Sequence, residues 1–271
     1  MKALQIVLIS LLLLGCGLVS EPVTSTPRMA QVHIATLTST PSLTPKPDIM
    51  ATQIAGLAAT QTAQVAKAHV ARTEEFTAAL TVIGKITMAL DELKGTSNDF
   101  ESLDINKAKL VFGPTSKTLR HNLDNTVITY DPSLSLRNFI VSIKFINPYD
   151  TSKTGSWDYG ILFRNEYEND QYRLTILSNQ SWSLVDARTW TNVFSRNDKH
   201  LTAIAGEENT IWLVVIDTKA YLFINGTYVQ SLDVSAKLTA GDVSPATGLY
   251  YGNKTDKKTT KFYDFTVWSL P

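Results

Sequence analysis

Residues 209–229 read NTIWLVVIDTKAYLFINGTYV, two β-rich runs joined through Asn225-Gly226. A two-residue type I′ loop needs positive φ at both central positions, which Asn and Gly tolerate best, so this stretch predicts a β-hairpin. Working outward, short β-rich runs bounded by turn residues recur at 109–112, 126–130, 139–146, 159–164, 172–177, 181–185, 211–216, 221–224, 246–251 and 262–268. No helix-length periodic segment interrupts them. About ten strands over about 175 residues predict a mainly β fold, a two-sheet antiparallel jelly-roll sandwich over residues 96–271.

The texture upstream is different. Residues 49–95 are rich in Ala, Gln, Thr and Lys, contain no Pro, and have only Gly56 and Gly84 as weak points before Gly95. That composition predicts a helical stalk that ends at Gly95-Thr96-Ser97-Asn98. Apolar residues recur at Ile54, Leu57, Val65 and Ala68, then at Phe76, Leu80, Ile83 and Leu90, spacings that mark one helical face. The second half is expected to lie on the β domain. The thinner first half resembles a weak coiled-coil stalk, so oligomerisation through it and a monomeric spacer helix both stay open. Residues 16–48 turn to Thr, Ser and Pro, with Pro22, Pro27, Pro41, Pro45 and Pro47. Such a tether is extended at ~3.1 Å per residue and gives clearance rather than a core.

At the N-terminus, Met1-Lys2 precedes an apolar stretch over residues 3–14, broken only by Gln5 and Ser10 and too short to cross a bilayer. Residues 1–15 read as a signal peptide. Its end, Leu13-Leu14-Gly15-Cys16, resembles the lipobox of bacterial lipoproteins. The resemblance implies cleavage before Cys16, acylation of its thiol, and anchorage to a bacterial membrane on the side away from the cytoplasm. Each buried CH₂ of an acyl chain contributes ~0.8 kcal/mol, so several chains hold firmly. Cys16 is the only cysteine, which excludes an intrachain disulfide. Lys+Arg and Asp+Glu are both 25, and no like-charge run marks a nucleic-acid partner.

The segments WDYGILFR (157–164), YRLTIL (172–177), the 209–229 stretch, ATGLYYG (246–252) and FYDFTVWSL (262–270) follow one another in an order that resembles concanavalin A-like lectin/glucanase sandwiches. The likeness is to the laminin-G and keto-disaccharide-hydrolase-like branch and covers roughly residues 100–271. It implies that the last strand returns to pair near the first. Lectins, glycosidases, adhesion modules and spacers share such a fold, so the activity must be argued from residues.

Glycosidases need two carboxylates across the sugar bond, about 5–5.5 Å apart in retaining enzymes. Glu166, Glu168 and Asp170 alternate, but between two strands and without apolar spacers, which reads as a solvated loop. No catalytic residue is assigned. His33, His69, His121 and His200 are scattered, and Asn169-Asp170, Asn197-Asp198 and Asn253 with Asp256 suit Asx turns as well as a calcium site. No metal or cofactor is assigned.

Sugar binding needs flat rings for C–H faces and directed polar groups. Trp157, Tyr159, Trp182 and Trp190 cluster around the middle strands, with Arg164, Arg173, Lys144 and Asp264 at polar positions. In 172–177, Tyr172, Leu174 and Ile176 share one face and Arg173 and Thr175 the other. The ligand-binding candidates are therefore Trp157, Tyr159, Arg164, Arg173, Trp182 and Trp190, although a Trp on a sandwich strand also serves to fill a core. Trp212 and Trp268 are assigned to the core. The expected function is a membrane-anchored, lectin-like module for carbohydrate or a cell-envelope polymer. A tethered glycan-active hydrolase and a structural or protein-interaction module are the alternatives.

Overall fold

In the computed structural model, which describes residues 49–95, 100, 104–167 and 170–271, Asn225 and Gly226 take φ of 51° and 80°. They join two antiparallel strands with Thr227 opposite Ile224. The positive φ pair is what the Asn-Gly dipeptide supplies at low steric cost. The Asn225 side chain reinforces the turn, accepting from Thr210 N at 2.7 Å and donating to His200 O at 2.7 Å.

The strands, numbered along the chain, form two six-stranded sheets. The first sheet runs in the order β1 (Lys109–Arg120), β12 (Thr259–Ser269), β3 (Phe139–Ile146), β8 (Glu208–Ile216), β9 (Lys219–Ile224), β10 (Thr227–Asp233). The second runs β2 (Ile128–Thr129), β11 (Asp242–Thr247), β4 (Asp158–Asn165), β5 (Tyr172–Leu177), β6 (Ser181–Asp186), β7 (Thr191–Asn197). Every pairing is antiparallel, and β12 lies between β1 and β3, so the last strand does return to the first. The result is a jelly-roll-like sandwich.

Alternation along the strands builds the core between the sheets. Phe139, Val141, Ile143 and Phe145 of β3 point inward with Tyr159, Ile161 and Phe163 of β4 and Leu174 and Ile176 of β5, all fully buried. Each large apolar side chain buried in this way contributes about 1.5–3 kcal/mol. The helix α1 (Ile49–Asp91) supplies a second core. Its Ala79, Ile86 and Leu90 pack with Ile140, Val214, Tyr221, Phe223, Trp212 and Trp268 on the outer face of the first sheet. Strands β3 and β8 are buried on both faces, which is why their sequences are almost unbroken apolar runs.

Several expectations shift. Trp212 and Trp268 are buried, as assigned, but beneath α1 rather than between the sheets. The buried stripe of α1 passes through Ala79, Val82, Ile83, Ile86 and Leu90, while Phe76 and Leu80 remain 52% and 53% exposed. The small side chain of Ala79 at the start of the contact lets the helix backbone approach the sheet, which a Phe or Leu there would hold off. Strand β7 was not expected, because in Thr191–Asn197 only Val193 and Phe194 are apolar, enough for a sheet edge where these two pack on the core and the other positions stay polar. Strand β11 starts at Asp242 and stops at Thr247, where Gly248 turns the chain with φ of 75°. Helix α1 stops at Asp91 and is followed by turns to Gly95, which has φ of 83°. Thr96, Ser97 and Asn98, the tether, the signal peptide and Cys16 lie outside the described residues.

Candidate functional site

The outer face of the second sheet is built by the strand alternation that fills the core. With Tyr172, Leu174 and Ile176 of β5 turned inward, Arg173 and Thr175 turn outward. In register beside them stand Leu162 and Gly160 of β4 and Val185 and Ser183 of β6. Two adjoining hollows of about 540 and 400 Å³ lie on this face and share Arg173, Trp190, Leu249 and Tyr251. Together they make one recess that crosses the strands from Thr129 of β2 to Ser183 of β6. Four strand spacings of ~4.8 Å give it a length of about 19 Å.

Aromatic rings bracket the recess and polar groups floor it. Trp190 is 62% exposed and Tyr251 82% exposed. The Arg173 guanidinium carbon sits 4.7 Å from the Trp190 ring centre, while Arg173 itself is only 5% exposed. This stacking fixes the guanidinium plane. Burial draws the Arg173 pKa down from its ordinary value, yet an arginine remains charged in proteins. Gln171 lines the floor, is 5% exposed, and its Oε1 has no hydrogen-bond partner among the described residues. Asn165 beside it donates to Asp242 Oδ2 at 3.2 Å.

One wall is made of two loops stitched together. Asp124 Oδ1 accepts from Thr255 N at 2.7 Å and Asp256 N at 2.9 Å, and Asn125 Oδ1 accepts from Gly252 N at 2.9 Å. The amide bonds hold the Asp124 carboxyl below the usual carboxylate range. Gly248 lies so close to this neighbour that a Cβ would stand 2.3 Å from Thr126 O and 2.7 Å from His121 Cε1. Only glycine permits both that approach and the positive φ. His121 is buried behind it, its Nε2 3.1 Å from Thr247 Oγ1, and burial lowers its pKa.

Of the candidates expected from sequence, Arg173 and Trp190 come together in the recess. Trp157, Tyr159, Trp182 and Arg164 do not, and their assignment as ligand-binding residues is corrected. Trp157 stacks on Tyr159 at 5.2 Å and donates from Nε1 to Tyr149 O at 3.1 Å. Tyr159 stacks in turn on Phe145 at 4.4 Å, and its hydroxyl donates to Asn147 Oδ1 and accepts from Asn209 Nδ2, each at 2.7 Å. Trp182 shares the inner face of β6 with Leu184 and stacks on Phe194. All three rings are consumed by the core and offer a ligand no surface.

Arg164 departs for a different reason. It is the extra residue where Asn165 and Phe163 of β4 face the consecutive Asp242 and Val243 of β11, and its φ is 51°. A bulge of this kind re-aims the side chain. The guanidinium turns inside and donates to four backbone carbonyls, those of Arg137, Asp217, Val234 and Lys237. Lys144 and Asp264 pair at 2.8 Å on the first sheet, away from the recess.

Tyr250, Tyr251, Gln171 and Asn125 were missed. The signal for the tyrosines was an aromatic pair in a short loop between Gly248 and Gly252. The alternating carboxylates form no acid pair among the described residues: Glu166 is exposed, Asp170 lies 2.6 Å from Lys237 Nζ, and Glu168 and Asn169 lie outside them. Among the described residues, neither Asp nor Glu lines the recess. Of the Asx residues, Asp198 binds His200 and Arg196 close by, and Asn253 binds the distant Asp158.

The fold is a two-sheet antiparallel β-sandwich of the jelly-roll kind with one open outer face. Among solved structures, the chain is similar to the carbohydrate-binding module CBM66 from Bacillus subtilis at 10% identity and a TM-score of 0.45, over 60% of this chain and 96% of that one. It is similar to a protein of unknown function with a galectin-like fold, also from Bacillus subtilis, at 14% identity and a TM-score of 0.43, over 61% and 88%. A third similarity is to a fructosyltransferase from A. japonicus, at 13% identity and a TM-score of 0.46, over 64% of this chain and only 28% of that enzyme. No protein-family model and no curated protein sequence matches the chain.

Proposed function

We propose that this chain is a membrane-anchored carbohydrate-binding protein whose second-sheet recess holds a glycan or cell-envelope polymer outside the cytoplasm. The observation that carries the reading is the pair of exposed rings, Trp190 and Tyr251, bracketing a trough floored by the buried Arg173 and by Gln171. Rings of this kind receive the apolar faces of sugars. The guanidinium and amide groups, already withdrawn from water, hydrogen bond sugar hydroxyls with less desolvation left to overcome. The extent of the recess across five strands of the second sheet suits a chain of sugars better than a single small molecule.

The anchor belongs to the same proposal and rests on the lipobox-like Leu13-Leu14-Gly15-Cys16. Full-length protein in detergent, screened on a glycan array and then titrated by calorimetry, is expected to bind at least one oligosaccharide without shortening it. Trp190→Ala and Tyr251→Ala should each weaken that binding about tenfold or more, since exposed aromatic anchors dominate such sites. Release of new reducing ends would replace the reading by a glycan-active hydrolase, and a blank array would remove it. For the anchor, Cys16→Ser should abolish incorporation of labelled palmitate and free the protein from the membrane fraction; unchanged incorporation would overturn that part.

A further inference from the structure

We infer that Asp158 is the positioning residue of the recess: its carboxylate holds the 248–253 loop in the conformation that places Leu249 and Tyr251 on the site. This rests on the binding reading above. Asp158 opens β4, and alternation puts it on the outer face with Gly160 and Leu162, yet it is fully buried. The loop after β11 lies over it. Asp158 Oδ1 accepts from Leu249 N at 2.7 Å, while Oδ2 accepts from Asn253 Nδ2 at 2.6 Å and from Tyr250 N at 3.3 Å. Thr247 Oγ1 adds a bond to the Asp158 backbone oxygen at 2.8 Å.

A carboxylate taken out of water persists only where donors converge on it. Here those donors belong to one loop, 91 to 95 residues further along the chain. The two backbone amides are ones that no longer have a strand partner once β11 has ended at Thr247. Leu249 packs with Leu162 and Ala246, but Tyr250 and Tyr251 are 55% and 82% exposed. Without the carboxylate, Tyr251 would stand on a loop fastened at Gly252 by Asn125, with the Leu249 and Tyr250 amides stripped of their acceptor. Ordering a ring in advance removes a cost that the ligand would otherwise bear, so the effect of Asp158 should appear in affinity.

Burial raises the Asp158 pKa, and the hydrogen bonds from Leu249, Asn253 and Tyr250 oppose that rise. Asp158→Asn keeps the size and one oxygen acceptor while removing the other, so it tests the contact without opening a cavity. Hydrogen exchange on the full chain should show the amides of Leu249 and Tyr250 exchanging at least tenfold faster in the variant, with the β4–β5 amides unchanged. The glycan found on the array should bind about tenfold more weakly. The loss should be non-additive with Tyr251→Ala, which acts through the same loop, and additive with Trp190→Ala on the opposite wall.

Asn253→Ala provides a second variant that leaves the carboxylate intact, and it should show a smaller change of the same kind. Exchange at Leu249 and Tyr250 equal to wild type, or a full additive loss with Tyr251→Ala, would overturn the inference. If the wild-type chain binds no glycan, the binding reading fails separately, and the exchange rates alone decide whether Asp158 holds the loop.

Discussion

The two outer faces of this sandwich obey the same alternation and come out opposite. On the first sheet, the outward positions are Ile140, Trp212, Val214, Tyr221, Phe223 and Trp268, and α1 lies over them. On the second sheet they include Arg173, Thr175, Ser183 and Thr129 beside Leu162 and Val185, and loops wall them without roofing them. An apolar face of the first kind must be covered, at roughly 25 cal/mol for each Å² removed from water. A face of the second kind keeps hydrogen bonds to solvent and can exchange them for those of a ligand. The chain has thus used its helix on one face and left the other available.

The largest way to break this comparison is Trp268→Ala, which empties the space under α1. Guanidinium denaturation should show a loss of about 3–5 kcal/mol, as for other large-to-small core changes. Glycan affinity of the folded fraction should stay as in wild type, because the recess is on the other sheet; a small loss of stability would mean that α1 merely rests on the sheet. A smaller, opposite effect is expected for Arg173→Lys. The charge remains, but the flat fork stacked on Trp190 is lost, so affinity should fall several-fold in calorimetry while the thermal midpoint stays within a degree or two. Smallest of all is Phe76→Ala. Its side chain is half exposed, so stability should change by no more than ~0.5 kcal/mol, whereas a core-sized loss would show that the stripe runs through Phe76 after all.

What could be read beforehand was what local chemistry dictates. Asn225-Gly226 demanded a hairpin because few other dipeptides accept two positive φ values, and alternation in 172–177 already separated Arg173 and Thr175 from the core. The rest depended on partners distant in sequence. Trp157, Trp182 and Trp190 are chemically identical, and only the strand register distinguishes the two that stack inside from the one that stands at the rim. Arg164 obeyed alternation until a bulge turned it inward. Tyr251 stands on a loop whose acceptors, Asp158 and Asn125, lie far back in the chain. On α1, the eye goes to Phe76 and Leu80, but close approach favoured the small Ala79.

The contact of α1 with the first sheet also sets how the domain bears load. Among the described residues, the helix touches the sandwich through its last turns, at Ala79, Ile86, Leu90 and their half-buried neighbours. A ligand pulling on the recess while the upstream chain is held would stress two junctions in series, the inter-sheet core and this narrower patch. The patch joins fewer buried side chains than the inter-sheet core does. Tension on the chain upstream of α1 would therefore reach the smaller of the two cores first, at its Ala79 end.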